Sequence, residues 1–286
     1  MRRIATPAAF LHAGLLNRRY GDWDPRASDF GDEQVEIDLR GCEFIRPPAV
    51  LWVATYALSV AARGVKCRVV VPANFGVCIH LKSMGLFDVL QGSGVDIDDR
   101  GIGSSANSQL VLGVTKFDSV NEVEILADRA LTALSKKGFG AANIHPLVTE
   151  VFAEIAMNAV QHADSPIGAL GLIQFYQFEQ GERFVITVAD GGIGIRRSLE
   201  RNPQLRDEIA YDWDAIELAL REGVSGTGLS TRGIGLFGVV EDMQHPGRQL
   251  VIHSGQGMLS LSAGVESQAQ RTIAFPGTLV SASIPT

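Results

Sequence analysis

HPLVTEVFAEIAMNAVQHA, residues 145–163, combines an apolar and a polar pattern in the second half of this chain. Its apolar residues recur at roughly helical spacing, at Leu147, Val151, Ile155 and Val160. A polar stripe follows the same helix at every fourth position, at Glu150, Glu154, Asn158 and His162. The pattern predicts an amphipathic helix whose polar stripe is either a solvated face or part of a binding site.

Two residues of the polar stripe favour a nucleotide site. Asn158 offers a side-chain carbonyl to Mg²⁺, a cation that prefers oxygen ligands and the phosphate oxygens of a nucleotide. Glu154, one turn earlier on the same face, is placed to hold or deprotonate a water or a hydroxyl near the terminal phosphate. We therefore predict Asn158 as the metal ligand and Glu154 as the catalytic base.

The next informative stretch is RFVITVAD, residues 183–190, whose alternating pattern predicts a half-buried strand that ends on Asp190. An ionised carboxylate only accepts hydrogen bonds, so it favours the amino group of adenine over the oxygen of guanine. Gly191, Gly192 and Gly194 follow and allow positive φ and a close approach to a flat base. Taken alone, the same glycines are equally typical of an ordinary turn after a strand.

A third element is SGTGLSTRGIGLFGVVEDM, residues 225–243, which predicts a Gly/Ser/Thr-rich loop followed by an apolar helix. A glycine-rich helix start presents free N–H groups and the positive end of the helix dipole to phosphates. Thr231 and Arg232 are placed to close over those phosphates. The run GIGLFG also matches the dinucleotide pattern GxGxxG, but no predicted strand precedes it and no acid follows at the required distance.

In order and spacing, the three elements resemble the N, G1 and G2 boxes of the GHKL superfamily, which includes gyrase-type ATPases, sensor histidine kinases and anti-sigma-factor serine kinases. The resemblance covers residues 110–286 and implies an α/β sandwich of the Bergerat ATP-binding fold with ATP and Mg²⁺ as cofactors. FPGTLVSASIPT, residues 275–286, is similar to that family's closing strand.

The resemblance also implies roles for individual residues. It makes Glu154 the base or water-positioning residue and Asn158 the Mg²⁺ ligand, and it places Asp190 on adenine. The further nucleotide-binding candidates are Gly192 and Gly194 against the base, Thr231, Arg232, Gly233, Gly235 and Leu236 at the phosphates and their loop, and Gly277 and Thr278 as minor contacts. His162, at the end of the N box, is either a nucleotide contact or a surface residue of the helix.

Gly, Ser and Asp replace the apolar periodicity in residues 91–109, which predicts two domains, residues 1–92 and 110–286, joined by a linker over 93–109. The first half predicts a β-α-β-α order and therefore a small α/β layer. It resembles a STAS domain over residues 35–90, on element order and on the phrase CEFIRPPAV, residues 42–50.

Regulatory STAS domains commonly carry a phosphorylated hydroxyl at the turn where this chain has Arg46-Pro47-Pro48-Ala49. Proline has no hydroxyl, so the turn starts a helix but does not accept phosphate. A docking or homodimerising module is the preferred interpretation of this half.

Composition predicts a folded cytoplasmic protein. The formal net charge of −7 provides no field that attracts nucleic acid or an anionic membrane, so neither is expected as a partner. Cys42, Cys67 and Cys78 are odd in number and lack metal spacing, which favours buried free thiols. No run approaches the length of a membrane span.

Three uses of ATP remain open on the sequence. The helix predicted over residues 121–138 holds no phospho-accepting histidine, which argues against a histidine kinase. The first hypothesis is a Ser/Thr kinase that acts on an antagonist-like or sigma/anti-sigma-like regulator. The second is a switch in which ATP orders the loop at residues 223–232 without phosphoryl transfer. The third is a slow ATPase that drives dimer opening.

Overall fold

The computed structural model describes residues 1–10, 34–98, 101, 103, 107, 109–178, 181–221, 224, 235–265 and 268–286. These residues form a mixed α/β structure with one parallel and one antiparallel sheet of more than two strands. The α/β class predicted from the sequence is therefore confirmed.

The described part of residues 1–98 forms a parallel sheet with helices. In chain order its elements are β1 (Arg2–Ala5), β2 (Ala9–Phe10), β3 (Val35–Asp38), β4 (Phe44–Ile45), α1 (Pro47–Ala61), β5 (Cys67–Val70), α2 (Phe75–Ser83), α3 (Leu86–Gln91) and β6 (Asp96–Ile97). The sheet order is β1-β3-β5-β6, and β2 pairs separately with β4. Strand β6 falls inside the stretch predicted as a linker, where its two residues complete the sheet edge beside β5.

The helix predicted after β5 is two helices in the structure, α2 and α3. The break lies at Gly85, whose φ of 81° is left-handed and strains any residue with a Cβ. The carbonyl oxygen of Met84 at this break accepts a hydrogen bond of 2.7 Å from the N–H of Val114. The break therefore connects the first half of the chain to the second.

The described part of residues 109–286 forms an antiparallel sheet with helices. Its elements are β7 (Leu110–Phe117), α4 (Val120–Lys137), α5 (His145–His162), β8 (Ala169–Phe178), β9 (Gly181–Asp190), α6 (Gly194–Leu199), α7 (Asp212–Ala219), α8 (Gly235–Met243), β10 (Gln249–Ser262) and β11 (Gln270–Pro285). The strand order is β10-β11-β9-β8-β7.

Helices α4 and α5 cover one face of this sheet. A capping box between Ser119 and Glu122 starts α4, and the left-handed Gly138 ends it. Helix α5 buries Val148, Phe152 and Ile155 in a core cluster with alternate residues of β8, β9 and β11. The amphipathic helix predicted over residues 145–163 is therefore confirmed.

Helix α1 covers the opposite face of the same sheet. Fourteen of its 15 residues are buried. Ten of these, between Ala49 and Val60, share a core cluster with Leu170, Leu172 and Ala189, the strand positions that point away from α5. The hydroxyl of Tyr56 donates a 2.5 Å hydrogen bond to the carbonyl oxygen of Ala274 on β11. One hydrophobic core thus extends from the first half of the chain into the second.

The cysteine prediction is also confirmed, because Cys42, Cys67 and Cys78 are all buried and free. Burial raises the pKa of the Cys67 thiol to about 12 and raises that of Cys42 as well. Across the described ranges, no helix has both the length and the apolar character needed to cross a membrane.

Candidate functional site

A cleft opens where the C-terminal half of α5 meets the end of β9, α6, the start of α8 and β11. It contains about 870 Å³ of empty space, which includes open solvent at its mouth. Its lining is mostly apolar with a few polar side chains. The described lining residues are Ile155, Asn158, Ala159, His162, Ala163, Val188, Asp190, Gly194, Ile195, Ser198, Leu199, Ala219, Val224, Leu236, Thr278 and Val280.

The cleft brings together six of the residues that the sequence singled out: Asn158, His162, Asp190, Gly194, Leu236 and Thr278. They come from four segments that are distant in sequence. Thr231, Arg232 and Gly233 lie outside the described residues, as does most of the predicted loop at 223–232. Gly235 is the first residue of α8 and immediately precedes Leu236.

Asp190 is the deepest polar group of the cleft, with only 3% of its surface exposed. Its Oδ1 accepts a 2.8 Å hydrogen bond from the N–H of Gly192 and one of 3.3 Å from the N–H of Thr278. These backbone donors hold the carboxyl group of Asp190 beside β11. The sequence predicted this carboxylate at a strand end, but it did not predict that β11 would hold it in place.

Gly277 explains how β11 comes so close to Asp190. Its φ of 112° is in the left-handed range. A Cβ at this position would lie 2.5 Å from Asp190 Oδ1 and 2.7 Å from the N–H nitrogen of Gly192. Glycine is therefore required here both by backbone conformation and by space.

Gly192 and Gly194 shape the loop after β9. A Cβ on Gly192 would overlap the carbonyl oxygen of Ala163, which also accepts a 2.8 Å hydrogen bond from the N–H of Ile193. Gly194 has a φ of 79°, lines the cleft and begins α6. The loop is thus packed against the C-terminal end of α5, where Gly192 lies beneath the cleft lining and Gly194 forms part of it.

The three polar residues of α5 lie in different environments. Asn158 is half-buried in the cleft wall, and its buried Nδ2 has no hydrogen-bond partner among the residues that the structure describes. His162 is half-buried in the lining at the end of the helix. Glu154 is exposed one turn before Asn158 and is not among the described lining residues. The structure therefore brings Asn158 and His162 together with Asp190 but leaves Glu154 at the periphery.

Sequence reasoning missed Ser254, a residue of β10 that is 2% exposed. Its Oγ accepts a 2.8 Å hydrogen bond from the N–H of Ile195 and lies 3.0 Å from Thr278 Oγ1. It connects α6, β10 and β11 just behind the cleft. No sequence pattern marks this serine, because its role depends on a cross-strand register that only the folded sheet defines.

The comparisons give no further information on the site. Neither protein-family models nor curated proteins match this chain. Among the residues that the structure describes, no group of three or more His, Cys, Asp or Glu side chains is arranged to hold a metal ion.

Proposed function

We propose that the cleft binds Mg²⁺-ATP and that the chain is an ATP-dependent regulator of a protein partner, with a GHKL-type Bergerat nucleotide domain following a STAS-like domain. The observation that carries this proposal is the convergence of six residues on one cleft. The sequence predicts nucleotide contacts for all six, and they line the same space: Asn158, His162, Asp190, Gly194, Leu236 and Thr278.

The chemistry of the base contact supports adenine. A carboxylate with 3% exposure exchanges few of its hydrogen bonds with water, so a ligand acceptor that faced it would remain unpaired. The 6-amino group of adenine donates to such a carboxylate, whereas the 6-oxygen of guanine repels it. In this proposal Asp190 selects ATP over GTP.

The phosphates and the metal are assigned to the other end of the cleft. The buried Nδ2 of Asn158 has no partner within the described part of the chain, and an unpaired amide next to a cleft is typical of a group that a ligand or water satisfies. We assign its side-chain oxygen to Mg²⁺ held between the nucleotide phosphates. Helix α8 begins at Gly235, and its N-terminal N–H groups favour the phosphates.

In the kinase form of the proposal, the partner supplies a Ser or Thr hydroxyl. The hydroxyl oxygen bonds to the terminal phosphorus, the bond between that phosphorus and the bridging oxygen breaks, ADP leaves, and the hydroxyl proton passes to Glu154. The STAS-like half then serves as a docking or dimerising module.

One observation favours a second candidate, a nucleotide-dependent switch without phosphoryl transfer. Glu154 is exposed and does not line the described part of the cleft. A base must come within hydrogen-bonding reach of the proton it removes. If the partner does not bring its hydroxyl to Glu154, ATP acts only by favouring one conformation and so changes partner docking.

The test is direct binding of ATP to the full chain, measured by calorimetry with and without Mg²⁺. We expect ATP to bind, GTP to compete weakly, and Asp190→Asn to weaken ATP binding at least tenfold, because an amide presents both a donor and an acceptor to the base. Asp128→Asn, the same change at an exposed position on α4, is the control. Failure of the wild-type chain to bind any adenine nucleotide would refute the proposal.

A further inference from the structure

Ser254 and Thr278 are direct cross-strand partners on β10 and β11, and their side chains therefore lie on the same face of the sheet. Their hydroxyl oxygens are 3.0 Å apart. Thr278 lines the cleft, whereas Ser254 is buried behind it. The pair is thus a short hydrogen-bonded path from the sheet interior to the cleft surface.

The bonds around Ser254 restrict what its hydroxyl can do. Its Oγ accepts from the N–H of Ile195 at 2.8 Å, which occupies one lone pair. Its single hydrogen has two acceptors within reach, the carbonyl oxygen of Gly277 at 3.2 Å and Thr278 Oγ1 at 3.0 Å. When the hydrogen points to Gly277, Thr278 donates to Ser254, and when it points to Thr278, the hydrogen of Thr278 is released towards the cleft.

The neighbouring contact shows which edge of a base Thr278 would meet. The N–H of Thr278 donates to Asp190 Oδ1 at 3.3 Å, so the threonine stands next to the carboxylate assigned to the 6-amino group. The adjacent atom on the edge of a 6-aminopurine is the ring nitrogen N1, which only accepts. A hydroxyl that donates into the cleft at this point is complementary to it.

We propose that Ser254 is a positioning residue for base recognition, which donates to Thr278 and thereby directs the Thr278 hydrogen to N1 of an adenine nucleotide. This inference rests on the proposed binding of ATP in the cleft. The reversal keeps the bond between the two hydroxyls, and it exchanges the 3.2 Å bond from Ser254 to the Gly277 carbonyl oxygen for the bond from Thr278 to N1. Asp190 requires a donor at position 6 of the base, and Thr278 then requires an acceptor at N1. Together they restrict the site to purines with a 6-amino group and an unprotonated N1.

The experiment compares ATP with 1-deaza-ATP, in which N1 is replaced by CH, and with the triphosphate of purine riboside, which lacks the 6-amino group. For the wild-type chain we expect ATP to bind roughly five to ten times more tightly than 1-deaza-ATP, because the analogue offers the Thr278 hydroxyl no acceptor at this position of the base. In Ser254→Ala we expect this ratio to fall below about two, while the preference for ATP over the purine riboside triphosphate is retained.

Two further variants serve as a control and as a conservative replacement of Ser254. Ser281→Ala removes a buried hydroxyl from the same strand, where Ser281 Oγ lies 3.0 Å from Thr187 Oγ1, and neither residue lines the described cleft. It should leave both ratios unchanged. Ser254→Cys keeps the side-chain shape with a somewhat larger atom but donates weakly, so it gives the same comparison if the alanine variant does not fold.

The outcomes separate this inference from the proposed function. If ATP does not bind the wild-type chain, the proposed function itself fails. If ATP binds but the ratio to 1-deaza-ATP is near one in the wild type, or is unchanged in Ser254→Ala and Ser254→Cys, the role of Ser254 is overturned while ATP binding stands.

Discussion

Ser59 of α1 lies directly behind Gly191, the first residue after Asp190 in the loop below the cleft. A Cβ on Gly191 would come within 2.7 Å of Ser59 Oγ and 2.8 Å of the Ile167 side chain. From the other side, the Oγ of Ser165 accepts a 3.1 Å hydrogen bond from the N–H of Gly191. The loop that carries the proposed base contacts is therefore packed against a helix from the first half of the chain.

A graded series of glycine substitutions tests this packing. Gly191→Ala should lower the free energy of unfolding by about 1–3 kcal/mol, since the clashing Ser59 and Ile167 side chains can only partly adjust. Gly192→Ala should cost more, because its Cβ would meet the backbone carbonyl of Ala163. Gly238→Ala, in α8 with no atom near the new methyl group, should be neutral or stabilising by up to about 1 kcal/mol.

Urea unfolding of the three variants at one pH provides the measurement. The order of stability, Gly238→Ala above Gly191→Ala above Gly192→Ala, is the expected result. Equal stability of all three would mean that the loop is not packed as described.

A buried hydroxyl without a partner predicts a stabilising substitution. Thr55 on α1 is fully buried, and its Oγ1 has no hydrogen-bond partner in the described ranges, so Thr55→Val should raise the free energy of unfolding by about 1 kcal/mol. Thr149→Val on α5 is the matched control. The Oγ1 of Thr149 donates to the carbonyl oxygen of Pro146 at 2.9 Å, so its loss should lower stability by about 1 kcal/mol. Both changes are read from urea midpoints, and opposite signs are the expected result.

His253 predicts a loss of stability in mild acid. The residue is fully buried on β10, its Nε2 lies 2.9 Å from the carbonyl oxygen of Ile273, and burial lowers its pKa from 6.5 to about 4. Below pH 6.5 the unfolded chain binds a proton that the native chain binds only near pH 4. The stability that neutral His253 contributes is thus complete above pH 6.5 and is lost as the pH falls towards 4.

Between pH 7 and pH 5 this linkage amounts to about 2 kcal/mol for one histidine. We expect His253→Gln to remove that share of the pH dependence, as measured by urea unfolding at the two pH values. His245→Gln, at an exposed position, is the control and should keep the wild-type slope. A His253→Gln slope equal to that of the wild type would show that this imidazole does not titrate as described.

Glu154 distinguishes a kinase from a switch. Under the kinase proposal, Glu154→Ala should reduce transfer of the terminal phosphate of ATP to a partner by at least about a hundredfold, the contribution usual for a general base. Under the switch proposal, ATP-dependent partner binding should remain. Glu150→Ala, one turn earlier on the exposed face of the same helix, is the control. Labelled ATP and a pull-down with the partner measure the two activities, and steady phosphate release without any partner would instead support a slow ATPase.

The sequence predicted the parts of the site that depend on local spacing. Asn158 and His162 recur at helical spacing on one face of a predicted helix, and Asp190 ends a stretch with the alternating pattern of a strand. All three could therefore be identified from the sequence alone. Ser254 could not, because its partner Thr278 is set by the pairing of β10 with β11. The packing of Ser59 behind Gly191 could not be predicted either, because it arises only when α1 packs on the sheet of the second half of the chain.

The apolar sequence of α1 predicted a helix but not which surfaces would cover it. PAVLWVATYALSVAARG, residues 48–64, is apolar almost all round, which is typical of a helix buried on every side. The structure provides the parallel sheet of the first half on one side and β8, β9 and β11 on the other. Long-range packing of this kind has no local period in the sequence, so composition alone could not assign the second contact.

The burial of α1 has a consequence for how this protein can be divided or recombined. A gene fragment starting near residue 110 would encode the antiparallel sheet without its cover, and Leu170, Leu172 and Phe275 would face water. Such a fragment would associate with itself or take up another apolar helix. The two halves are therefore not interchangeable modules: a donor domain grafted in front of residues 110–286 must bring a helix with the same apolar surface as α1.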